Sequence, residues 1–132
     1  MMFHKLNLKE GAYRPDTAKR SPMSKLSEID IRQKTDAVRN GNFNEALTTV
    51  NDHVIRVSVM TSGYPWHRHP NSEETFIVME GTLVLETQDK VLHLEPGQMV
   101  TVPANVVHRT KPAGTRSVNL TVEHQKTETV FL

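Results

Sequence analysis

The chain has 132 residues, 36% of them apolar and 23% charged, enough for one globular domain with a real core and too little for two independent ones. Its 16 Lys and Arg against 15 Asp and Glu leave a formal charge of +1 with no dense basic stripe, so nucleic acid is not an expected partner. Cysteine is absent, which excludes disulfides, thiolate metal sites and a cysteine nucleophile; with no apolar run of about 18 residues and no signal-like h-region in MMFHKLNLKEG, a cytoplasmic protein without a membrane partner is expected.

In chain order, residues 1–22 carry Lys5, Lys9, Arg14, Lys19 and Arg20 against two acids, with Pro15 and Pro22 as breakers and no sustained apolar period. They read as a loose extension. Met23 is an alternative start, and a strand donated to a neighbouring subunit is the rival reading. A single domain then spans residues 23–132. Its first stretch, SKLSEIDIRQKTDAVRN, has Leu26, Ile29 and Val38 as scattered apolar anchors and ends at Asn40-Gly41, which predicts a short helix plus irregular chain.

The period then changes to two. In HVIRVSVMT, Ile55, Val57 and Val59 point one way and Val54, Arg56, Ser58 and Met60 the other, as a β-strand requires. Further strands are predicted at Thr75 to Glu80, Thr82 to Thr87, Val91 to Leu94, Met99 to Val102, Val106 to Thr110 and Arg116 to Glu123. The turn signals between them include Pro70-Asn71, Glu80-Gly81, Asp89-Lys90, Pro96-Gly97 and Ala113-Gly114. No connection is long enough for a crossover helix, so the chain predicts an all-β antiparallel sandwich or barrel. The closing TVEHQKTETVFL reads as a solvated edge strand and tail with no chemistry assigned.

The segment GYPWHRHPNSEETFIVMEG carries the chemistry. Residues i and i+2 of a strand share a face, so His67 and His69 can converge on one ion while Arg68 points away. Pro70-Asn71-Ser72 turns the chain back and brings a glutamate to the same place. Glu74 is preferred to Glu73, because its parity turns Phe76 and Val78 inward as an apolar shell. A fourth ligand, His108, is proposed from GQMVTVPANVVHRT. Three histidines and one carboxylate leave one or two positions open on a first-row ion, which distinguishes a ligand-accepting site from a closed structural one.

At these residues the sequence resembles the cupin superfamily. The first motif is met as His67-Arg-His69, four residues, Glu74, six residues, Gly81; the second as Gly97, Pro103 and His108 at matching spacing. Asn105 stands where glycine is usual, and asparagine tolerates positive φ. Pro112 replaces the closing asparagine, and Gly63 lies three rather than five residues before His67. The resemblance spans about residues 50–123 and implies a cupin-type double-stranded β-helix, or jelly-roll barrel, behind a short helical or irregular N-terminal extension. It also implies one divalent transition-metal ion, whether iron, manganese, zinc or nickel, held by His67, His69, Glu74 and His108.

Phe76, Val78, Val106 and Thr110 share the inward parity and are expected to form a mostly apolar pocket wall, with Tyr64 near the mouth. Trp66, next to His67, should face away from the ion and serve packing or a subunit contact. His53, His93 and His124 lack comparable partners. Three functions fit: a metal-dependent enzyme of dioxygenase or isomerase and lyase type acting on a small organic molecule; a non-catalytic small-molecule sensor working through a protein partner; and a structural or storage protein. A homodimer is expected, since cupins of this size commonly pair and a small sheet has edges to cover.

Overall fold

The computed structural model describes residues 26–132, so the extension over 1–22 and the start at Met23 lie outside the described residues. Helix α1 (Ile31–Asp36) is opened by Asp30, whose carboxylate accepts from the Gln33 amide at 3.0 Å. Of the anchors expected here, Val38 packs, together with Ile31, whereas Leu26 is fully exposed and Ile29 lies at the surface. No helix among the described residues is long and apolar enough to cross a membrane.

Ten strands follow: β1 (Phe43–Val50), β2 (His53–Met60), β3 (Tyr64–Arg68), β4 (Glu74–Glu80), β5 (Leu83–Thr87), β6 (Val91–Leu94), β7 (Met99–Val102), β8 (His108–Pro112), β9 (Ser117–His124) and β10 (Val130–Phe131). They form two five-stranded sheets, ordered β1-β2-β9-β4-β7 and β10-β3-β8-β5-β6, with every pairing antiparallel. Distant strands lie side by side, β2 and β4 flanking β9 and β3 meeting β8, as in a rolled double-stranded β-helix.

Two strands were not anticipated. β1 carries Asn44, Glu45, Thr48 and Thr49, too polar to show a period of two, and a bulge between Ala46 and Thr48 interrupts its alternation. β10 is a two-residue strand on β3, too short to leave a sequence signal. β8 begins at His108 rather than Val106, because Val106 still belongs to a turn: its amide donates to the Pro103 carbonyl at 3.3 Å, and Asn105 has φ 70°.

The main core lies between the sheets, where Met60, Phe76 and Val102 of the first meet Leu83, Leu85 and Leu94 of the second. A second cluster, Leu47, Val57, Val59 and Val118, lies on the opposite face of the first sheet under Ile31 and Val38. The usual alternation is therefore inverted in β2 and β9. Val57 and Val59 of β2 and Val118 and Leu120 of β9 face outward, where α1 covers them, and Arg56, Ser58, Asn119, Thr121 and Glu123 turn toward the interior.

Arg116 ties α1 to the barrel, donating to the Val38 carbonyl at 2.6 Å, to the Thr35 carbonyl at 2.8 Å and to Glu80 at 3.0 Å. Its backbone sets a second constraint. Gly81 has φ +69°, and a Cβ there would collide with the Arg116 carbonyl oxygen, so the glycine that closes the first motif is required both by conformation and by space.

Candidate metal centre

The first sheet supplies Glu74 at the start of β4; the second supplies His67 on β3 and His108 at the start of β8, with His69 one residue beyond β3. His67 and His108 are direct register partners. The four side chains are buried, and their ligand atoms all lie within 4.8 Å of one another. Glu73 stays exposed, in keeping with the parity that favoured Glu74. Arg68 points away from the cluster, donating to the Asn105 side chain at 2.7 Å.

Each imidazole is fixed from behind. His67 Nδ1 meets the Pro65 carbonyl at 2.8 Å, His108 Nδ1 the Val106 carbonyl at 2.9 Å, and His69 Nδ1 the Glu128 carbonyl at 3.0 Å with Thr129 Oγ1 at 3.2 Å. A carbonyl only accepts, so Nδ1 carries the proton on each ring and Nε2 is left as a lone-pair donor. Yet His69 Nε2 and His108 Nε2 face Glu74 Oε1 at 3.0 and 3.3 Å. Lone pair against lone pair is repulsive, and the arrangement calls for a cation in the gap, either a proton on a ring or a metal ion. The donor set of three imidazoles and one carboxylate fits a first-row divalent ion.

Electrostatics point the same way. Burial pushes the Glu74 carboxyl up, but hydrogen bonds with His108 and His69 outweigh it and hold the group at about 2. Burial keeps the His67 ring below the ordinary histidine value, against the opposing pull of the Pro65 carbonyl. For His69 burial works downward, and the Glu74 carboxylate and the Glu128 carbonyl raise it overall.

In front of the cluster lies a cavity of about 600 Å³. Tyr64, Phe76 and Thr110 line it, Tyr64 meeting the His67 ring edge-on at 4.8 Å between centroids. Val78 and Val106 do not reach it. Val78 is buried in the intersheet core below, and Val106 packs against that core from its turn. The mostly apolar wall expected from strand parity is thus a mixed one, polar along β2 and β9, where Arg56, Ser58, Asn119, Thr121 and Glu123 face the cavity.

Those five residues, and Thr127 and Thr129 of the closing segment, carried no signal in the local sequence. The closing segment is an exposed edge strand and tail, as expected, but it is not without a role. Asn71 holds it, donating to the Lys126 carbonyl at 3.0 Å and accepting from the Glu128 amide at 2.8 Å, and the segment in turn supports His69. Glu123 lies directly across from Glu74 on the neighbouring strand, and burial, reinforced by the Glu74 charge, pushes its carboxyl up to about 7. Trp66 faces out of the barrel, with the Arg109 guanidinium stacked 4.5 Å above its ring and Glu86 paired to that arginine. His53 and His124 meet Asp52, away from the centre.

A rolled antiparallel double sheet with three histidines and a glutamate at the edge of its cavity defines a class, the jelly-roll barrels with a side-chain cluster able to hold a metal ion. Residues 53–123 match the cupin domain family, and the chain belongs to it. The Bacillus subtilis (strain 168) protein YdbB, an uncharacterized protein, is 42% identical over 83% of this chain and 96% of its own. A cupin-2 domain containing protein from Shewanella frigidimarina superposes with a TM-score of 0.67 at 25% identity, covering 73% of this chain and 93% of that one. The DMSP lyase DddQ from Ruegeria pomeroyi shares the fold, with a TM-score of 0.61 at 20% identity over 69% of this chain and 51% of its own.

Proposed function

We propose that the protein is a metal-dependent enzyme acting on a small organic molecule held in the cavity. His67, His69, Glu74 and His108 hold one divalent ion, iron, manganese, zinc or nickel. The observation that carries the reading is the pinning of all three Nδ1 atoms, which leaves Nε2 on each ring as a lone-pair donor beside a buried carboxylate. A cavity of this size in front of the cluster distinguishes it from a closed structural site.

When bound, such an ion supplies Lewis acidity to a substrate oxygen or, if iron, a place for dioxygen, and so fits chemistry of the isomerase and lyase or the dioxygenase type. The chain's own residues orient the substrate through Asn119, Thr121 and Thr110, and Tyr64 screens the mouth. We place the protein in the cytoplasm as a homodimer. That DddQ, a neighbour in fold, is named as a lyase agrees with an enzyme on this scaffold.

Metal content by mass spectrometry on untagged protein tests the proposal, with a His67→Ala/His69→Ala variant and an oxygen-uptake screen alongside. Stoichiometric iron lost in the variant directs the search to dioxygenase substrates, and zinc, manganese or nickel directs it to isomerases and lyases. A wild type that takes up no metal even after reconstitution overturns the site.

A further inference from the structure

The inward side of the first sheet, whose middle part faces the cavity, can be read off the register. Three rows run across β2, β9 and β4: Val54, Glu123, Glu74; Arg56, Thr121, Phe76; Ser58, Asn119, Val78. The metal cluster stands at the Glu74 end of the first row, and Arg56 stands at the far end of the second. Two strand spacings of about 4.8 Å and one row offset of about 7 Å separate Arg56 from Glu74 at the backbone. Arg56 reaches back over part of that span.

The chemistry between these two points is polar and unsatisfied. Asn119 is 1% exposed, and its Oδ1 has no hydrogen-bond partner. Thr121 and Thr110 are buried on the same cavity, where a hydrocarbon chain would leave their hydroxyls and the Asn119 oxygen without water or partner. A ligand that brings hydroxyl groups satisfies them.

Charge adds a second restriction. Among the described residues lining the cavity, Arg56 is the only lysine or arginine, and Glu74 and Glu123 are the only carboxylates. A divalent ion together with Arg56 therefore leaves the cavity net positive, which an anionic ligand neutralises. Arg56 is already oriented, donating to the Asn44 side chain at 3.0 Å with its Nε 4.0 Å from Glu123, and a guanidinium so placed presents a planar fork suited to a carboxylate.

We propose that the cavity takes a small hydroxylated or keto monocarboxylic acid of about four to six carbons, its carboxylate on Arg56 and an oxygen at its other end against the His/Glu cluster. This rests on the metal-centre reading above. The wall facing Asn119 receives the intervening hydroxyls, so Arg56 selects for charge and β9 for hydroxylation.

The test is calorimetric titration of the metal-loaded full chain with five probes: threonate and gluconate, their uncharged counterparts threitol and sorbitol, and hexanoate. Threonate or gluconate is expected to bind about tenfold or more tightly than the other three, and Arg56→Met to lose about tenfold of that affinity, the size of one charge-assisted pair. Arg56→Lys should keep part of it, with metal content unchanged in both variants. Thermal unfolding of the ligand-free variants reports whether they fold; if Arg56→Met does not, Arg56→Lys and the wild-type panel decide. Acids that bind Arg56→Met as well as wild type overturn the proposal, and so do alditols or hexanoate binding equally well, or a metal-loaded protein that binds neither acid. A wild type without metal overturns the metal centre itself and this proposal with it.

Discussion

Glu74 and Glu123 face each other across one strand pairing and are pushed in opposite directions, one to about 2 and the other to about 7. In the metal-free protein Glu123 keeps a proton that an ordinary carboxyl in the unfolded chain gives up near 4.5, so stability falls as pH rises from about 4.5 to 7, by about 1 kcal/mol after solvent screening. Glu74 acts the other way, and its contribution is lost as pH falls from 4.5 toward 2. Glu123→Gln should reduce the loss above pH 5 in thermal melts under chelator, leaving the part that the raised His69 ring contributes; a wild type equally flat from pH 5 to 8 would refute this. Asn71 acts at a distance, fixing the segment whose Glu128 carbonyl holds His69 Nδ1. Asn71→Ala is expected to weaken metal binding about tenfold or more, read by competition with a chromogenic chelator, with Asn71→Asp intermediate because it keeps the acceptor for the Glu128 amide. The four-residue cluster was legible in the sequence because three of its members sit within eight residues and strand parity chooses between Glu73 and Glu74. Glu123 and Asn71 were not, since each owes its role to a partner brought up by the fold from about fifty residues away.

At the level of elements, α1 is one and a half turns long and has no stability of its own. It stays because Ile31 and Val38 cover Val57, Val59 and Val118, and because Arg116 bonds the carbonyls at its end. Arg116→Ala removes those bonds and leaves Glu80 unpaired; a loss of about 2 kcal/mol in urea unfolding is expected, with no change in metal content, and an unchanged midpoint would refute the tie. Most strand positions were readable from alternation and turn residues. The direction of alternation was not, because in β2 and β9 the aliphatic side faces a helix and the polar side faces the cavity. A strand with two covered faces shows its period in the sequence but not which face is which. The same ambiguity made the pocket wall look apolar and put Val78 and Val106 on it.

Among the described residues the two rolled sheets have outer strands, β1 and β7 in one and β10 and β6 in the other, with no further strand paired on their edges. Pairing of two chains is the expected way to cover part of them, and light scattering at micromolar concentration should give twice the chain mass; a monomer would remove the homodimer from the proposal. The closing segment has a consequence for how the protein is made. The Glu128 carbonyl that sets the His69 tautomer lies 59 residues downstream of it. At ordinary rates of synthesis, about 5–20 residues per second, roughly 3–12 s pass between the two leaving the ribosome's catalytic centre. Through that interval His69 exists without the partner that aims it, while His67 and His108 already have theirs, so a chain halted before the closing segment is expected to carry all four ligands with His69 unaimed.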